Sequence, residues 1–370
     1  MGLTSNKVLA LAVVLAVVLF ALTIWLWPKL ANRSWRAVLG RIGLLLGTQL
    51  MLFASVGLAA NNSFLFYGSW ADLFGQENGM GVVVDHSAGS KDIKVTGKQK
   101  PDTPGAGNPA AGGEIQKVVV QGQRSKIASP AYVYLPPEYF QKKYENQKFP
   151  AAVVLTGYPG TAENLIKGLR YPKTAWAQVK QKKAQPMILV MMRPTVAPPR
   201  DTECVDIPGG PQTETFFAQD LPKAVSQTYR VGTKPQNWGF IGNSTGGYCA
   251  LKIGIHHPET FGASAGLSAY YKAASDPTTG DLFHGDKAAK NRSNLLWSLD
   301  HVAPAKSSFL VTSSKSGEDN LKPTLKFIEK VKSPARVSSI TLDSGGHNFN
   351  TWRREIPPVL EWISSRLTAN

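Results

Sequence analysis

The sequence predicts an α/β domain, with a mostly parallel sheet flanked by helices, preceded by two N-terminal transmembrane helices. Three observations carry this prediction. Two long apolar runs stand near the start of the 370-residue chain. From residue 114 onward, short β-branched or apolar runs alternate with longer amphipathic ones. One short apolar run leads into a Gly-x-Ser-x-Gly sequence directly before a helix-compatible segment.

Residues 8–27 and 42–60 are the two apolar runs, and each is long enough to cross a bilayer as a helix. Between them lie four basic residues, Lys29, Arg33, Arg36 and Arg41. The preceding tail holds only Lys7, so the positive-inside rule puts the short loop in the cytoplasm. We therefore expect a cell-membrane protein whose remaining chain is extracytoplasmic. The alternative for the first run is a cleaved signal peptide.

Composition divides the chain into three regions. Residues 1–60 form the transmembrane pair with its basic cytoplasmic loop. Residues 61–113 combine a juxtamembrane aromatic segment (61–81) with a linker rich in glycine and proline (84–113). Residues 114–370 are expected to form the extracytoplasmic catalytic domain.

Within that domain, strands and helices are predicted to alternate. The predicted strands are residues 117–121, 131–135, 149–155, 186–192, 263–267, 308–313 and 336–342, with one more before the Gly-x-Ser-x-Gly sequence. The predicted helices are residues 161–169, 174–182, 213–229, 321–331 and 351–367, with one more after it. The continuous apolar runs at 149–155 and 186–192 are typical of strands buried on both faces. This alternation favours a parallel sheet.

The formal net charge of +16 favours anionic partners, and the alternative is a basic surface that is simply solvated. Residues 1–115 hold nine basic and six acidic residues, so most of the surplus belongs to the catalytic domain. Anionic lipids or envelope polymers are the candidate partners. No nucleic-acid-binding motif accompanies the charge, and an extracytoplasmic location argues against nucleic acid.

The chain contains two cysteines, Cys204 and Cys249. In an oxidising exterior an even pair indicates one disulfide, which would tie the Cys204 loop to the helix behind the serine motif. Neither cysteine has a Cys-x-x-Cys partner, so no zinc site is predicted. Asp201, Glu203 and Asp206 cluster around Cys204, but no matching ligand set accompanies them, and no metal or glycosidase site is predicted.

Ser244 is the candidate nucleophile. It stands in Gly242-Asn243-Ser244-Thr245-Gly246, after a short apolar run and before a helix. A strand, a sharp turn and a helix in this order would expose the serine hydroxyl, and the glycines would leave room for the turn. The alternative is an ordinary turn between a strand and a helix.

A serine needs a base and a residue that orients the base. Strand–turn–helix serine hydrolases supply them in the order serine, acid, histidine. His347, in a glycine-rich turn between the last strand and the last helix, is the candidate base. The acid should follow the strand at 308–313. Asp319 is preferred and Glu318 is the alternative, although Asp319 could instead cap the next helix.

The oxyanion of such a reaction needs two backbone N–H donors. The residue after the nucleophile, Thr245, is the first candidate. The second is Tyr158, in the Thr156-Gly157-Tyr158-Pro159-Gly160 loop that follows a predicted buried strand. The alternative for this loop is a simple Gly/Pro turn.

From residue 114 onward the chain resembles the esterase-D-type branch of the α/β-hydrolases, which includes feruloyl esterases, S-formylglutathione hydrolases and actinobacterial mycolyltransferases. The resemblance lies in residues 132–139 (Tyr-Val-Tyr-Leu-Pro-Pro-Glu-Tyr), the Thr-Gly-Tyr-Pro-Gly loop, the Ser244 motif and Gly-Gly-His-Asn at 345–348. The apolar N-terminus is similar to that of membrane-anchored actinobacterial members. Thr156 departs from the pattern, because many relatives have histidine or aspartate there.

The resemblance implies an α/β-hydrolase fold and serine-dependent ester hydrolysis or acyl transfer in the cell envelope, through an acyl-enzyme and without a metal or organic cofactor. The substrate would be an ester or an acyl lipid. One alternative is a mycolyltransferase that moves long acyl chains from trehalose-linked lipids to envelope acceptors. Another, from a different class, is a catalytically silent envelope-binding module that kept the fold.

Overall fold

The computed structural model describes residues 3, 5–64, 70, 92–196, 198 and 200–369. It divides into two compact units, Met1–Met80 and Gly81–Asn370. The predicted aromatic segment at 61–81 and the first part of the predicted linker fall mostly outside the described residues.

The N-terminal unit contains two helices, α1 (Asn6–Leu26) and α2 (Trp35–Phe64). They pack against each other, and the hydroxyls of Thr23 and Thr48 lie 3.2 Å apart between them. Most of their large apolar side chains are exposed. Both helices are long and apolar enough to cross a bilayer, and a signal sequence would meet the same criteria.

The second unit is built on one nine-stranded sheet. Its strands are β1 (Ile93–Gln99), β2 (Glu114–Gln121), β3 (Ala128–Leu135), β4 (Ala151–Leu155), β5 (Ile188–Met192), β6 (Trp238–Asn243), β7 (Ala263–Leu267), β8 (Ser308–Ser314) and β9 (Arg336–Leu342). The order across the sheet is β1-β2-β3-β5-β4-β6-β7-β8-β9. The pairs from β1 to β3 and between β3 and β5 are antiparallel, and every other pair is parallel. The predicted mostly parallel sheet is confirmed.

Helices cover this sheet. They are α3 (Pro109–Gly112), α4 (Tyr171–Lys180), α5 (Leu221–Thr228), α6 (Thr245–His256), α7 (Lys287–Arg292), α8 (Leu295–His301), α9 (Leu321–Lys330) and α10 (Phe349–Ser364). Every residue of β4, β5, β6 and β7 is buried, as expected for strands covered on both faces. Because these four strands are parallel, their carboxyl ends lie at the same edge of the sheet. Ligand-binding and active sites of α/β proteins are located at this edge.

Two predicted helices differ from the structure. The predicted helix at 161–169 is formed over residues 162–168, mostly as a π-helical turn, Asn164–Gly168. The predicted helix at 213–229 is formed as three consecutive helical segments: a short α-helical turn, Thr213–Thr215, a π-helical turn, Phe216–Asp220, and α5. Pro222 lies in the first turn of α5 and has no N–H to donate to the preceding turn, which accounts for the wider turn there.

The predicted linker also differs, because residues 93–99 form β1 at the edge of the sheet. Ile93 is buried and pairs with Val120 of β2. Lysines, a threonine and a glycine dominate the rest of this strand, which is largely exposed, so its composition resembles that of a linker. The ordered sheet thus begins before residue 114.

Candidate active site

Ser244 occupies the turn between β6 and α6. Its backbone angles, φ 55° and ψ −123°, are an unusual conformation for a residue with a side chain. The glycines on either side permit the turn. A Cβ at Gly246 would lie 2.5 Å from the carbonyl oxygen of Thr156, which is too close for any other residue. The predicted sequence of strand, sharp turn and helix is therefore what the chain forms around Ser244.

His347 lies beside this serine. Its Nε2 is 2.8 Å from Ser244 Oγ, within hydrogen-bond distance, although 103 residues separate the two in sequence. Asn348, the next residue, accepts hydrogen bonds from the backbone N–H groups of Asn350 and Thr351 at the start of α10. The Trp352 ring contacts the imidazole edge to face, with 5.1 Å between ring centroids. The start of α10 thus holds the histidine turn against the sheet.

Electrostatics favour the neutral imidazole. Partial burial lowers the pKa of His347, and the nearby carboxylate of Glu318 opposes that shift. A neutral imidazole can accept a proton from a serine hydroxyl, whereas an imidazolium cannot.

Two adjacent acids follow β8, and the structure brings Glu318 rather than Asp319 to the histidine. Glu318 Oε1 lies 3.9 Å from His347 Nδ1, and the Glu318 side chain is only 2% exposed. Asp319 is exposed. Helix α9 has Asn320 as its N-cap residue, so Asp319 does not take that position either. The sequence analysis preferred Asp319 as the acid that orients His347, whereas the geometry of the site favours the alternative acid, Glu318.

The loop after β4 lies against the nucleophile. A Cβ built on Gly157 would be 2.9 Å from Ser244 Cβ, so the backbone there approaches the serine as closely as a glycine allows. Tyr158 is the next residue in this loop, and Thr245 begins α6 directly after Ser244. Thr245 is thus adjacent to Ser244 in the chain, and Tyr158 directly follows the glycine that approaches the serine.

Cys204 and Cys249 form a disulfide, with 5.7 Å between their Cα atoms. The predicted pairing is confirmed, and it joins the loop before α5 to the middle of α6. A buried lysine reinforces the same junction, because Lys252 Nζ donates to the Cys204 carbonyl at 2.6 Å and pairs with Glu214. Burial opposes ionisation of Glu214, but Lys252, His257 and Arg292 hold its pKa well below the usual range.

The acids near Cys204 have different surroundings. Asp206 accepts from the backbone N–H and hydroxyl of Thr215, at 3.0 and 2.6 Å. Asp201 and Glu203 are buried, and burial raises their pKa values to about 6 and about 8. Tyr270 donates to Glu203 at 2.6 Å. Among the residues that the structure describes, no group of three or more His, Cys, Asp or Glu side chains is placed to hold a metal.

Sequence reasoning missed Tyr270 and Trp352 as supports of the site. Tyr270 follows β7 and interacts with the Thr245 side chain, and Trp352 contacts His347. Their positions offered a signal, since Tyr270 comes just after a strand of the parallel sheet. An aromatic residue there is equally typical of the core, so sequence alone does not distinguish the two roles.

The chain is similar to known proteins in sequence and in fold. Residues 126–363 match the family model described as "Putative esterase". An uncharacterised protein of Corynebacterium glutamicum is 26% identical over 255 residues, which are 65% of this chain and 58% of that protein. The chain thus matches less than two thirds of that relative's length.

Solved structures show the same fold. A ferulic acid esterase superposes with a TM-score of 0.58 at 17% identity, covering 70% of this chain and 99% of that chain. An S-formylglutathione hydrolase from Agrobacterium tumefaciens superposes with a TM-score of 0.57 at 19% identity, covering 74% of this chain and all of that chain. The family model spans more than half of the chain and includes Ser244, Glu318 and His347. The chain therefore belongs to the "Putative esterase" family of enzymes and has an α/β-hydrolase fold.

Proposed function

We propose that this protein is a membrane-anchored serine esterase or acyltransferase of the cell envelope that acts through an acyl-enzyme on Ser244. The observation that carries the proposal is the 2.8 Å contact between His347 Nε2 and Ser244 Oγ at a strained turn in front of a helix. A turn that only connects a strand to a helix does not require a histidine from a segment 103 residues away within hydrogen-bond distance of its serine.

In the proposed reaction, His347 Nε2 takes the hydroxyl proton while Ser244 Oγ bonds to the ester carbonyl carbon. The negative charge that develops on the carbonyl oxygen is held by the N–H groups of Thr245 and Tyr158. The imidazolium then gives its proton to the departing alkoxide, which leaves as an alcohol. Glu318 orients the imidazole through Nδ1 and stabilises its positive charge.

The second half of the reaction depends on the acceptor. Water, activated by the same imidazole, releases a free acid, and a sugar or protein hydroxyl takes the acyl group in its place. A long-chain acyl donor with trehalose as headgroup would make the protein a mycolyltransferase. Such an activity requires acyl transfer to outcompete hydrolysis in the same site.

The test uses the full-length chain in detergent, as wild type, Ser244→Ala and Ser365→Ala. Ser365 is an exposed serine beyond α10 and supplies the matched control. Each protein is treated with a fluorophosphonate probe and assayed on p-nitrophenyl esters of increasing chain length. We expect labelling and turnover in the wild type and the control, and a loss of roughly 10⁶-fold in kcat in Ser244→Ala.

Product analysis with trehalose present then separates free acid from acyl sugar. A folded wild-type protein that neither labels nor turns over any ester would contradict the proposal and favour the catalytically silent binding module. Equal labelling of wild type and Ser244→Ala would assign the nucleophile to another residue.

We also propose that α1 and α2 anchor the protein in the membrane, with the catalytic domain on the extracytoplasmic side. The supports are two exposed apolar helices and four basic residues between them, Lys29, Arg33, Arg36 and Arg41. Protease added to intact spheroplasts should degrade the catalytic domain, and carbonate should leave the protein in the membrane fraction. Protection from protease would reverse the orientation, and a membrane-bound chain that lacks α1 would identify α1 as a cleaved signal.

A further inference from the structure

A second buried carboxyl group lies behind the contact between His347 and Glu318. It belongs to Glu355 of α10, whose side chain is fully buried. Helix α10 thus contributes Trp352, which contacts the imidazole, and Glu355 one turn later on the same face. The proposed triad of Ser244, His347 and Glu318 does not include this carboxyl.

The hydrogen bonds around Glu355 determine where it can carry a proton. Ser268 N–H donates to Thr312 Oγ1 at 3.0 Å, and Thr312 Oγ1 donates to Glu355 Oε2 at 2.9 Å. A hydroxyl has a single hydrogen, so Oε2 is an acceptor in this arrangement. The Glu355 oxygen without a hydrogen-bond partner among the described residues, Oε1, is therefore the one on which we place a proton.

Three buried carboxyl oxygens at this place lack a hydrogen-bond partner among the described residues. They are Glu355 Oε1 and both oxygens of Glu318. The two side chains interact electrostatically, and both are shielded from water. Two buried carboxylates would repel each other, and each unpaired oxygen carries a desolvation cost. A single proton between the two groups removes the repulsion and pairs two of the three oxygens, while Glu318 Oε1 lies 3.9 Å from His347 Nδ1.

We infer that Glu355 is a positioning residue that keeps a proton on Oε1 and donates it to Glu318, so that the pair presents one negative charge to His347. This inference rests on the proposed function, because it treats Glu318 as the acid that orients the base. The hydrogen bond holds the Glu318 carboxylate in one orientation beside an imidazole that becomes positively charged during the reaction.

The charges around Glu355 agree with this assignment. Burial raises its pKa to about 8, the hydrogen bond from Thr312 opposes that rise, the charge of Glu318 adds to it, and Arg354 opposes it. Tyr171 of α4 also faces Glu355, and burial, together with the Glu355 charge, raises the pKa of its phenol. Glu355 thus remains protonated near neutral pH and loses its proton in mildly alkaline solution.

Two variants of Glu355 separate the effect of its hydrogen bond on activity from the effect of its side-chain volume. Glu355→Gln keeps both contacts, since its amide oxygen accepts from Thr312 and its amide nitrogen donates to Glu318 at every pH. Glu355→Met fills a similar volume and does neither. We expect Glu355→Gln to retain wild-type kcat, and Glu355→Met to lose roughly 10–100-fold in kcat with unchanged KM, as for a lost hydrogen bond to a charged group.

The pH profile provides a readout that a purely structural role would not change. The wild type should lose kcat/KM as pH rises through about 8, where Glu355 ionises. Glu355→Gln, which has nothing to ionise there, should lack this alkaline loss. An alkaline limb that is identical in both proteins would overturn the inference.

Infrared spectroscopy of the full-length protein measures the proton directly and needs no activity. The wild type should show a protonated-carboxyl carbonyl band near neutral pH that disappears as pH passes about 8. Glu203 has a similarly raised pKa, so the assignment depends on the part of the band that Glu355→Gln removes. If Glu355→Gln removes none of it, the inference is wrong. A wild type with this band but no ester turnover would contradict the proposed function and leave the shared proton in place.

Discussion

Glu318 and Asp319 are neighbours in the chain, yet their side chains have opposite surroundings. Gly317 precedes them with φ 90°, in the region that favours glycine. Asn320 follows them, and its side chain accepts from Ser313 at 2.7 Å and donates to the Ala269 carbonyl at 3.2 Å. The loop is therefore held on both sides, with Glu318 turned towards His347 and Asp319 towards solvent.

At the residue scale we predict that Glu318→Gln lowers kcat by roughly 10³–10⁴-fold, because an amide does not supply the charge that stabilises the imidazolium. Asp319→Asn is the matched control and should keep kcat near the wild-type value. The measurement is ester turnover by full-length proteins whose folding has been checked by circular dichroism. The opposite result, a large loss only in Asp319→Asn, would return the role to Asp319.

The sequence predicted the loop that the structure places beside His347, and it could not choose between the two acids of that loop. Both acids follow the same strand, and either could turn inward. The choice depends on the left-handed backbone at Gly317 and on the side-chain contacts of Asn320, which connect segments distant in sequence. His347 was easier to identify, because a glycine-rich turn between the last strand and the last helix has one histidine.

At the scale of elements, the disulfide ties α6 to the loop that carries Asp201 and Glu203. The two cysteines are 45 residues apart, so the bond closes a loop that contains all of α5 and β6. In the chain-entropy account, restricting such a loop in the unfolded state stabilises the fold by roughly 2–4 kcal/mol. Helix α6 also begins directly after Ser244, so the disulfide and the proposed nucleophile are connected by one helix.

We predict that the double variant Cys204→Ser/Cys249→Ser unfolds at a lower temperature than the wild type, and that a reductant lowers the midpoint of the wild type but not that of the variant. Without the disulfide, the unfolded chain is less restricted and has more conformational entropy, which favours unfolding. Thermal unfolding with and without dithiothreitol is the measurement. Equal midpoints for all four samples would show that the bond contributes nothing to stability.

The elements themselves were largely predictable. Buried strands such as β4 and β5 are continuous apolar runs, and their parallel pairing follows from the helices between them. Strand β1 was not predictable in the same way. It is a largely exposed edge strand with little hydrophobic pattern, and its pairing with β2 depends on the rest of the sheet.

At the scale of the whole molecule, buried carboxyl groups make stability depend on pH. Glu203 has an ordinary pKa of 4.5 in the unfolded chain and about 8 in the folded protein, chiefly because of burial. Between these values the folded state binds more protons than the unfolded state. The Glu203 contribution to the free energy of unfolding therefore falls as pH rises from about 4.5 to about 8.

We predict that Glu203→Gln gains thermal stability relative to the wild type as pH is raised through this window, because the glutamine has no proton to lose. Its amide oxygen can still accept from Tyr270, which preserves the contact seen at 2.6 Å. Unfolding midpoints at several pH values measure the difference, and Glu329→Gln, at an exposed glutamate of α9, is the control. A difference between Glu203→Gln and wild type that stays constant with pH would refute the prediction.

The separation of 103 residues between Ser244 and His347 has a consequence for biosynthesis. A chain made from its N-terminus presents the serine turn, the Gly157 loop and the cysteine pair well before the histidine is translated. Strands β8 and β9 must then extend the sheet before the acid and the base reach the serine. In the proposed mechanism, Ser244 therefore becomes reactive only when the last strands and α10 are in place, and a nascent or truncated chain that stops before residue 347 is predicted to carry an unreactive serine.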